Sequence, residues 1–250
     1  MKITRKDFLK VAGLAAVGAT AGKAATEFAR VEAVHAGSRR WGLAIDFQKC
    51  RQGEGCDDCV NACRDAHNIP DITEPGRDVK WVWKEPFEKV FPLQQTDFTR
   101  RVYGDHVLPV LCNHCATPAC TRVCPTKATW KREDGVVMMD WHRCIGCRYC
   151  MAACPYGSRS FNFSDPRPRI RNLTASFPTR SKGVVEKCNF CEERLAKGQS
   201  PACVEACRQK ALTFGDLNDE SSPVRRLLRA RFSMQRSPEL GTGPSVFYLV

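Results

Sequence analysis

Sixteen cysteines fall into four quartets, and this grouping limits what the chain can fold into more than any other feature. The quartets are Cys50/Cys56/Cys59/Cys63, Cys112/Cys115/Cys120/Cys124, Cys144/Cys147/Cys150/Cys154 and Cys188/Cys191/Cys203/Cys207. The third reads C-x2-C-x2-C-x3-C-P, and the second follows the same plan with two residues added in the middle gap. The first departs by placing five residues between Cys50 and Cys56, the fourth by placing eleven between Cys191 and Cys203.

The third run is that of a bacterial ferredoxin, whose fourth cysteine ligates the partner cluster of a two-cluster module. A cubane cluster needs four converging thiolates. Three closely spaced cysteines in a tight loop supply three of them while backbone N–H groups face the cluster sulfurs, and the fourth comes from elsewhere. In this loop Gly146 tolerates a positive φ where the chain closes, and Pro155 suits an abrupt change of direction after Cys154. The pattern predicts four [4Fe-4S] clusters, with ligands exchanged between runs. Cys112/Cys115/Cys120 take Cys154, and Cys144/Cys147/Cys150 take Cys124. A second pair, split in sequence, gives Cys50/Cys56/Cys59 with Cys207 and Cys188/Cys191/Cys203 with Cys63; the Cys50 site is the least regular.

Two other thiol chemistries fit worse. Zinc ribbons use two pairs of ligands and need neither a third cysteine two residues on nor a following proline. A disulfide framework belongs to small secreted domains, whereas 250 residues can bury a core without cross-links.

The formal charge of +12 suggests at first an anionic partner such as nucleic acid. Sixteen thiolates around four oxidised cores of about +2 each contribute roughly −8, however. Residues 1–36 carry six basic and three acidic groups, so the cluster-loaded chain without them sits near about +1. The basicity offsets cluster charge, and no nucleic-acid partner is expected.

Thr4-Arg-Lys-Asp-Phe-Leu-Lys10 resembles the twin-arginine export motif, with Lys6 where the second arginine normally stands. The Ala- and Gly-rich stretch Val11 to Gly22 is too short to span a bilayer but suits an export signal, and Val34-His-Ala36 offers a cleavage site before Gly37. Residues 1–36 therefore read as a signal for export of a folded protein to the periplasmic face of the membrane. A retained amphipathic N-terminal helix is the other reading.

Trp41 to Asp46, Val107 to Leu111 and Gly135 to Asp140 are apolar runs that each lead into a cysteine loop, and Asp46 to Cys50 marks where the first loop begins. The resulting fold class is α+β, with two ferredoxin-like two-cluster modules, a loop-rich insertion and a C-terminal extension. One module takes residues 37–70 with 183–215 and the other 105–182. The insertion is 71–104 and the extension 216–250. The insertion interleaves Trp81, Trp83, Phe87, Phe91 and Phe98 with prolines and charges, reading first as a local core and second as a docking surface. Asp165 to Arg171 and Ser176 to Gly183 read as solvated connector. Short helices are expected over Glu192 to Lys197 and within Pro201 to Leu212, with another after an N-cap at Ser222. No histidine joins a catalytic constellation, and His114 reads as a solvent-facing residue rather than a donor to a cluster.

With these residues in hand, Arg143-Cys-Ile-Gly-Cys147 and Cys150-Met-Ala-Ala-Cys-Pro-Tyr-Gly157 resemble the four-cluster electron-transfer subunits of polysulfide, nitrite, formate and related membrane redox complexes. Val79 to Glu88, Cys112-Asn-His-Cys115, Val185 to Cys191 and Gly241-Thr-Gly-Pro244 are similar to the DsrO subfamily, the periplasmic iron-sulfur subunits of DsrMKJOP complexes, over residues 41–250. The resemblance implies a non-catalytic conductor in a respiratory complex linked to sulfite reduction. Its implied partners are an NrfD-type integral membrane subunit that interacts with quinone, a multihaem cytochrome c subunit and the other Dsr subunits, with membrane association through those partners. The alternative is the iron-sulfur small subunit of a molybdenum oxidoreductase of polysulfide, formate or tetrathionate type.

Overall fold

A computed structural model describes residues 39–51 and 55–250, without the Arg51 side chain. The expected export motif and the expected cleavage site before Gly37 lie outside the described residues. Strand β1 (Trp41–Asp46) is the first element among the described residues, and its apolar run is buried almost throughout because both of its faces are covered. Leu43 and Ile45 face the main core, while Ala44 joins a smaller cluster with Leu217, Val224 and Leu249. The expected loop after Asp46 is instead a short helix, α1 (Phe47–Arg51), which carries Cys50. Helix α2 (Asp58–Ala66) follows.

Within the insertion, strand β2 (Val82–Pro86) leads into α3 (Phe87–Val90) and α4 (Asp97–Tyr103). Thr96 and Thr99 close a capping box at the start of α4, each accepting a backbone N–H from the other. Strand β3 (Val107–Leu111) then pairs antiparallel with β2, from Val82 opposite Leu111 to Pro86 opposite Val107. The insertion thus builds the platform from which the Cys112 loop leaves. Its aromatic residues divide by burial. Trp81, Phe87 and Phe91 are core residues, Trp83 packs against that core, and Phe98 is 79% exposed. The core reading holds for most of the insertion because Phe47, Phe87, Phe91, Tyr103 and Tyr248 pack edge-to-face or tilted around one another, with Phe87 stacked on Tyr103.

Helix α5 (Ala119–Arg122) precedes a two-stranded sheet of β4 (Thr129–Lys131) and β5 (Val137–Met139). Helix α6 (Tyr149–Ala152) precedes another, formed by β6 (Ser160–Phe161) and β7 (Val185–Glu186). Short helices α7 (Glu192–Leu195) and α8 (Ala202–Glu205) fall where the sequence places helical character, and β8 (Leu212–Asp216) follows. Helix α9 (Pro223–Ala230) starts after Ser222, whose side chain makes no capping hydrogen bond. Strands β9 (Ser233–Met234) and β10 (Val246–Leu249) complete a sheet of order β8-β1-β10-β9. In it β10 runs parallel to β1 and β8 antiparallel. The C-terminal residues therefore share the sheet of the first strand, and α9 covers its far face through Val224, Leu227 and Leu228.

The solvated-connector reading fails at Pro166, Phe177 and Arg180, all of them buried. Phe177 is buried, and Arg180, 2% exposed, forms an ion pair with Glu186 at 2.7 Å. Arg180 also lies over Trp81, Trp141 and Phe177, so the connector is pinned through its cation rather than left in solvent. Residues 39–250 form one compact unit, and no helix among the described residues is long and apolar enough to cross a membrane.

Candidate metal centres

Each quartet repeats one backbone device. The residue just before the second cysteine has a positive φ in all four: Gly55 at 74°, His114 at 42°, Gly146 at 69° and Phe190 at 58°. Only the glycines announce this in sequence; His114 and Phe190 bear the strain of a left-handed residue in a tight loop. At Gly146 the space is also closed, since a Cβ there would lie 2.3 Å from the Gly183 carbonyl oxygen. After the second cysteine comes a short helix that carries the third, with the fourth four residues on. Cys59 and Cys63 stand on α2, Cys120 on α5, Cys150 on α6 and Cys203 on α8.

This helical turn separates the last two cysteines of each quartet into different groups. Cys50, Cys56, Cys59 and Cys207 line one open cavity of about 270 Å³, together with Phe47, Lys84 and Gln209. Cys63, Cys188, Cys191 and Cys203 line a second hollow, and Cys124, Cys144, Cys147 and Cys150 a third. Cys115 and Cys154 each lie close to Cys112 and Cys120, which makes the fourth group. All sixteen cysteines stand as free thiols.

The groups lie in a row. Cys203 neighbours Cys59 of the first group, Cys188 neighbours Cys112, and Cys150 neighbours Cys120. The order is therefore Cys50 group, Cys188 group, Cys112 group, Cys144 group.

Burial, with the crowding of thiols against one another, raises Cys50, Cys150 and Cys154. Cys59 and Cys115 are each pushed up to about 12, mainly by burial and then by neighbouring cysteines. Burial holds Cys63, Cys188 and Cys203 above their ordinary value as well. Cys124 moves the other way: burial pushes it up, but hydrogen bonds from Thr126 and from the N–H groups of Thr129 and Ala128 outweigh that and bring it down. Four thiolates can share such a pocket only around cations, which makes iron uptake a proton-releasing step.

Three further observations fit the donor set to iron-sulfur clusters. Backbone N–H groups of Val185, Phe190, Ala202 and Ala211 point at the sulfurs of Cys144, Cys188, Cys191 and Cys207 at 3.3 to 3.5 Å. Such amides hold anionic sulfur in place and set its potential. Arg159, 5% exposed, donates to the Cys120 sulfur and to Thr129 Oγ1, both at 2.9 Å; burial opposes its charge, but the pull of Cys120, Cys150 and Cys112 outweighs that and holds its pKa above the ordinary arginine value. Lys187 is fully enclosed and donates to the carbonyls of Val137 and Cys188; burial pulls it below its ordinary value while Cys112 and Cys188 pull it back.

His67 and His114 differ. His67 is buried, donates from Nδ1 to the Cys63 carbonyl at 2.9 Å and from Nε2 to Glu193 at 3.0 Å. Although burial opposes it, the pull of Cys63, Cys191 and Glu193 holds His67 well above the ordinary histidine value. His114 is not solvent-facing, as the sequence reading has it. It is 0% exposed, stacks on Phe190 at 3.7 Å and accepts the Val137 N–H through Nδ1. Burial and the nearby charges of Lys187 and Arg159 keep it neutral. No sequence signal marks Arg159, Lys187 or His67 as a site residue. Lys187 precedes Cys188, but nothing in its spacing reports that it turns inward.

Residues 105–166 and 173–217 match the 4Fe-4S dicluster domain. The chain is 39% identical to the Hdr-like menaquinol oxidoreductase iron-sulfur subunit 1 of Archaeoglobus fulgidus, over 98% of this chain and 97% of the relative. This protein belongs to the family of iron-sulfur subunits of respiratory oxidoreductase complexes. Other members of the family include the menaquinone reductase iron-sulfur cluster-binding subunit of Nitratidesulfovibrio vulgaris, 35% identical over 84% of this chain and 88% of the relative. The matching polysulfide reductase polypeptide of Wolinella succinogenes is 34% identical over 84% of this chain and 94% of that one. For an iron-sulfur subunit, the row of four thiol groups is the functional centre.

Proposed function

We propose that this chain is a non-catalytic electron-transfer subunit that holds four [4Fe-4S] clusters and relays electrons between a quinone-interacting membrane subunit and the other redox subunits of a respiratory complex. One observation carries the reading. Sixteen free thiols converge in four groups of four, arranged in a row, with each neighbouring pair meeting through named cysteines. The ligand sets would be Cys50/Cys56/Cys59/Cys207, Cys188/Cys191/Cys203/Cys63, Cys112/Cys115/Cys120/Cys154 and Cys144/Cys147/Cys150/Cys124. When bound, such clusters supply one-electron transfer without bond-making on a substrate. The protein's part is to fix the thiols by left-handed turns and short helices, to donate amides to sulfur, and to exclude water from the Cys188 group, whose four thiols are all buried.

The finer reading places the chain in a sulfite-reduction-linked complex of DsrMKJOP type, on the extracytoplasmic face, beside an NrfD-type membrane subunit and a multihaem cytochrome c. Its support is the set of DsrO-like motifs and the export signal of residues 1–36. A second reading, the iron-sulfur subunit of a molybdenum oxidoreductase, draws on the likeness to the polysulfide reductase polypeptide and to its tetrathionate reductase counterpart in Salmonella typhimurium. Anaerobic affinity purification of the full chain from membranes tests these. An integral membrane subunit with a c-type haem protein is the expected result, a molybdopterin protein favours the second reading, and recovery of the chain alone from the soluble fraction rejects both. Sequencing the N-terminus of the recovered chain checks the export reading: it should begin at Gly37, and a chain that still begins at Met1 contradicts it.

A further inference from the structure

Two interior cations that stand against the thiol groups, Arg159 and Lys187, have no carboxylate partner among the described residues. The charges that bear most on Arg159 are Cys120, Cys150 and Cys112; those that bear most on Lys187 are Cys112, Arg159, Cys188 and Cys120. Two other cations near the thiol groups are answered by carboxylates. Lys84, at the Cys50 group, pairs with Asp57 at 2.9 Å, and His67, beside Cys63, pairs with Glu193 at 3.0 Å. An unpaired charge in the interior is costly unless something of opposite sign stands beside it. Here that partner is anionic sulfur.

The two cations are not shared equally. Arg159 stands between the Cys112 and Cys144 groups, touching Cys120 and facing Cys150. Lys187 stands between the Cys112 and Cys188 groups, bonded to the Cys188 carbonyl at 2.6 Å. Only the Cys112 group faces both. A fixed positive charge stabilises a centre more after it has gained an electron than before, and the effect is larger where water is excluded.

We propose that Arg159 and Lys187 set the order of reduction along the row, making the cluster held by Cys112, Cys115, Cys120 and Cys154 the first of the four to accept an electron. The inference rests on the cluster ligation proposed above. The step itself is the transfer of one electron from an external reductant, with no bond made and no proton moved. Since the Cys112 group is third in the row, the electron would rest inside the chain rather than at either end.

A dithionite titration of the anaerobic holo-protein, followed by low-temperature EPR, tests this with Arg159→Met and Lys187→Met. Arg159→Met should shift two signals to lower potential and Lys187→Met two, with one signal common to both. That common signal should be the first to appear in the unsubstituted protein. The inference is overturned if the two variants share no shifted signal, or if the shared one is not the first to appear. Arg159→Lys keeps a cation in place and should preserve the order of reduction; a changed order there also overturns it, even if the methionine variants lose iron. Iron and sulfide counts keep the two ideas apart. Unmoved signals at full iron content reject only the role of the cations, whereas an iron-free chain rejects cluster ligation itself.

Discussion

Cys59 and Cys63 stand one helical turn apart on α2, yet Cys59 lines the cavity of Cys50, Cys56 and Cys207 while Cys63 belongs with Cys188, Cys191 and Cys203. One turn of helix is enough to hand the chain from one thiol group to the next. Cys63→Ser should therefore damage the cluster of the Cys188 loop and leave that of its own loop whole. EPR of the reduced variant checks this, and loss of the cluster nearest Cys50 instead would contradict the exchange of ligands.

Gly146 and Gly157 both have positive φ, but their surroundings differ. A Cβ at Gly146 meets the Gly183 carbonyl at 2.3 Å, and one at Gly157 meets nothing within 4 Å. Gly157→Ala should cost about 1 kcal/mol, the strain of a left-handed alanine. Gly146→Ala should cost roughly 2–4 kcal/mol because backbone must also move, and should lower iron content at the Cys144 group. Thermal unfolding with iron assay on both variants measures the difference.

Arg180 and Glu186 are both fully buried, and Glu186 also accepts from Trp81 Nε1 at 3.0 Å. Glu186→Gln leaves a guanidinium without its counter-charge and should destabilise the protein by roughly 3–5 kcal/mol. The double variant Arg180→Met/Glu186→Leu should cost less, since no interior charge is orphaned. Denaturant unfolding of the two variants gives the comparison.

Trp81 is 1% exposed and Phe98 79% exposed, although both belong to the aromatic insertion. Trp81→Ala should cost roughly 3–5 kcal/mol. Phe98→Ala should stay within about 0.5 kcal/mol in the isolated chain. A large loss at Phe98 in a denaturant titration would show that the insertion packs differently from this structure.

Much of the site was legible because cysteine spacing is a local quantity: a turn of helix and a tight loop follow from neighbours in sequence. The strands β1, β3 and β5 were legible for the same reason, as apolar runs bounded by polar residues. What was not legible depends on contacts far apart in the chain. The parallel pairing of β10 with β1 joins residues about two hundred positions apart, and nothing in either strand names its partner. The inward cations were read only in aggregate, as positive charge offsetting clusters. That Arg159 and Lys187 face sulfur while Arg180 meets a carboxylate is decided by packing, which also draws His114 and Arg180 out of the solvent where their polar neighbours in sequence suggest they belong.

The most direct test of this account is the iron and acid-labile sulfide content of the anaerobically purified chain. Four cubane clusters require about 16 iron and about 16 sulfide per chain. A chain that carries zinc in their place, or neither iron nor sulfide, would contradict it.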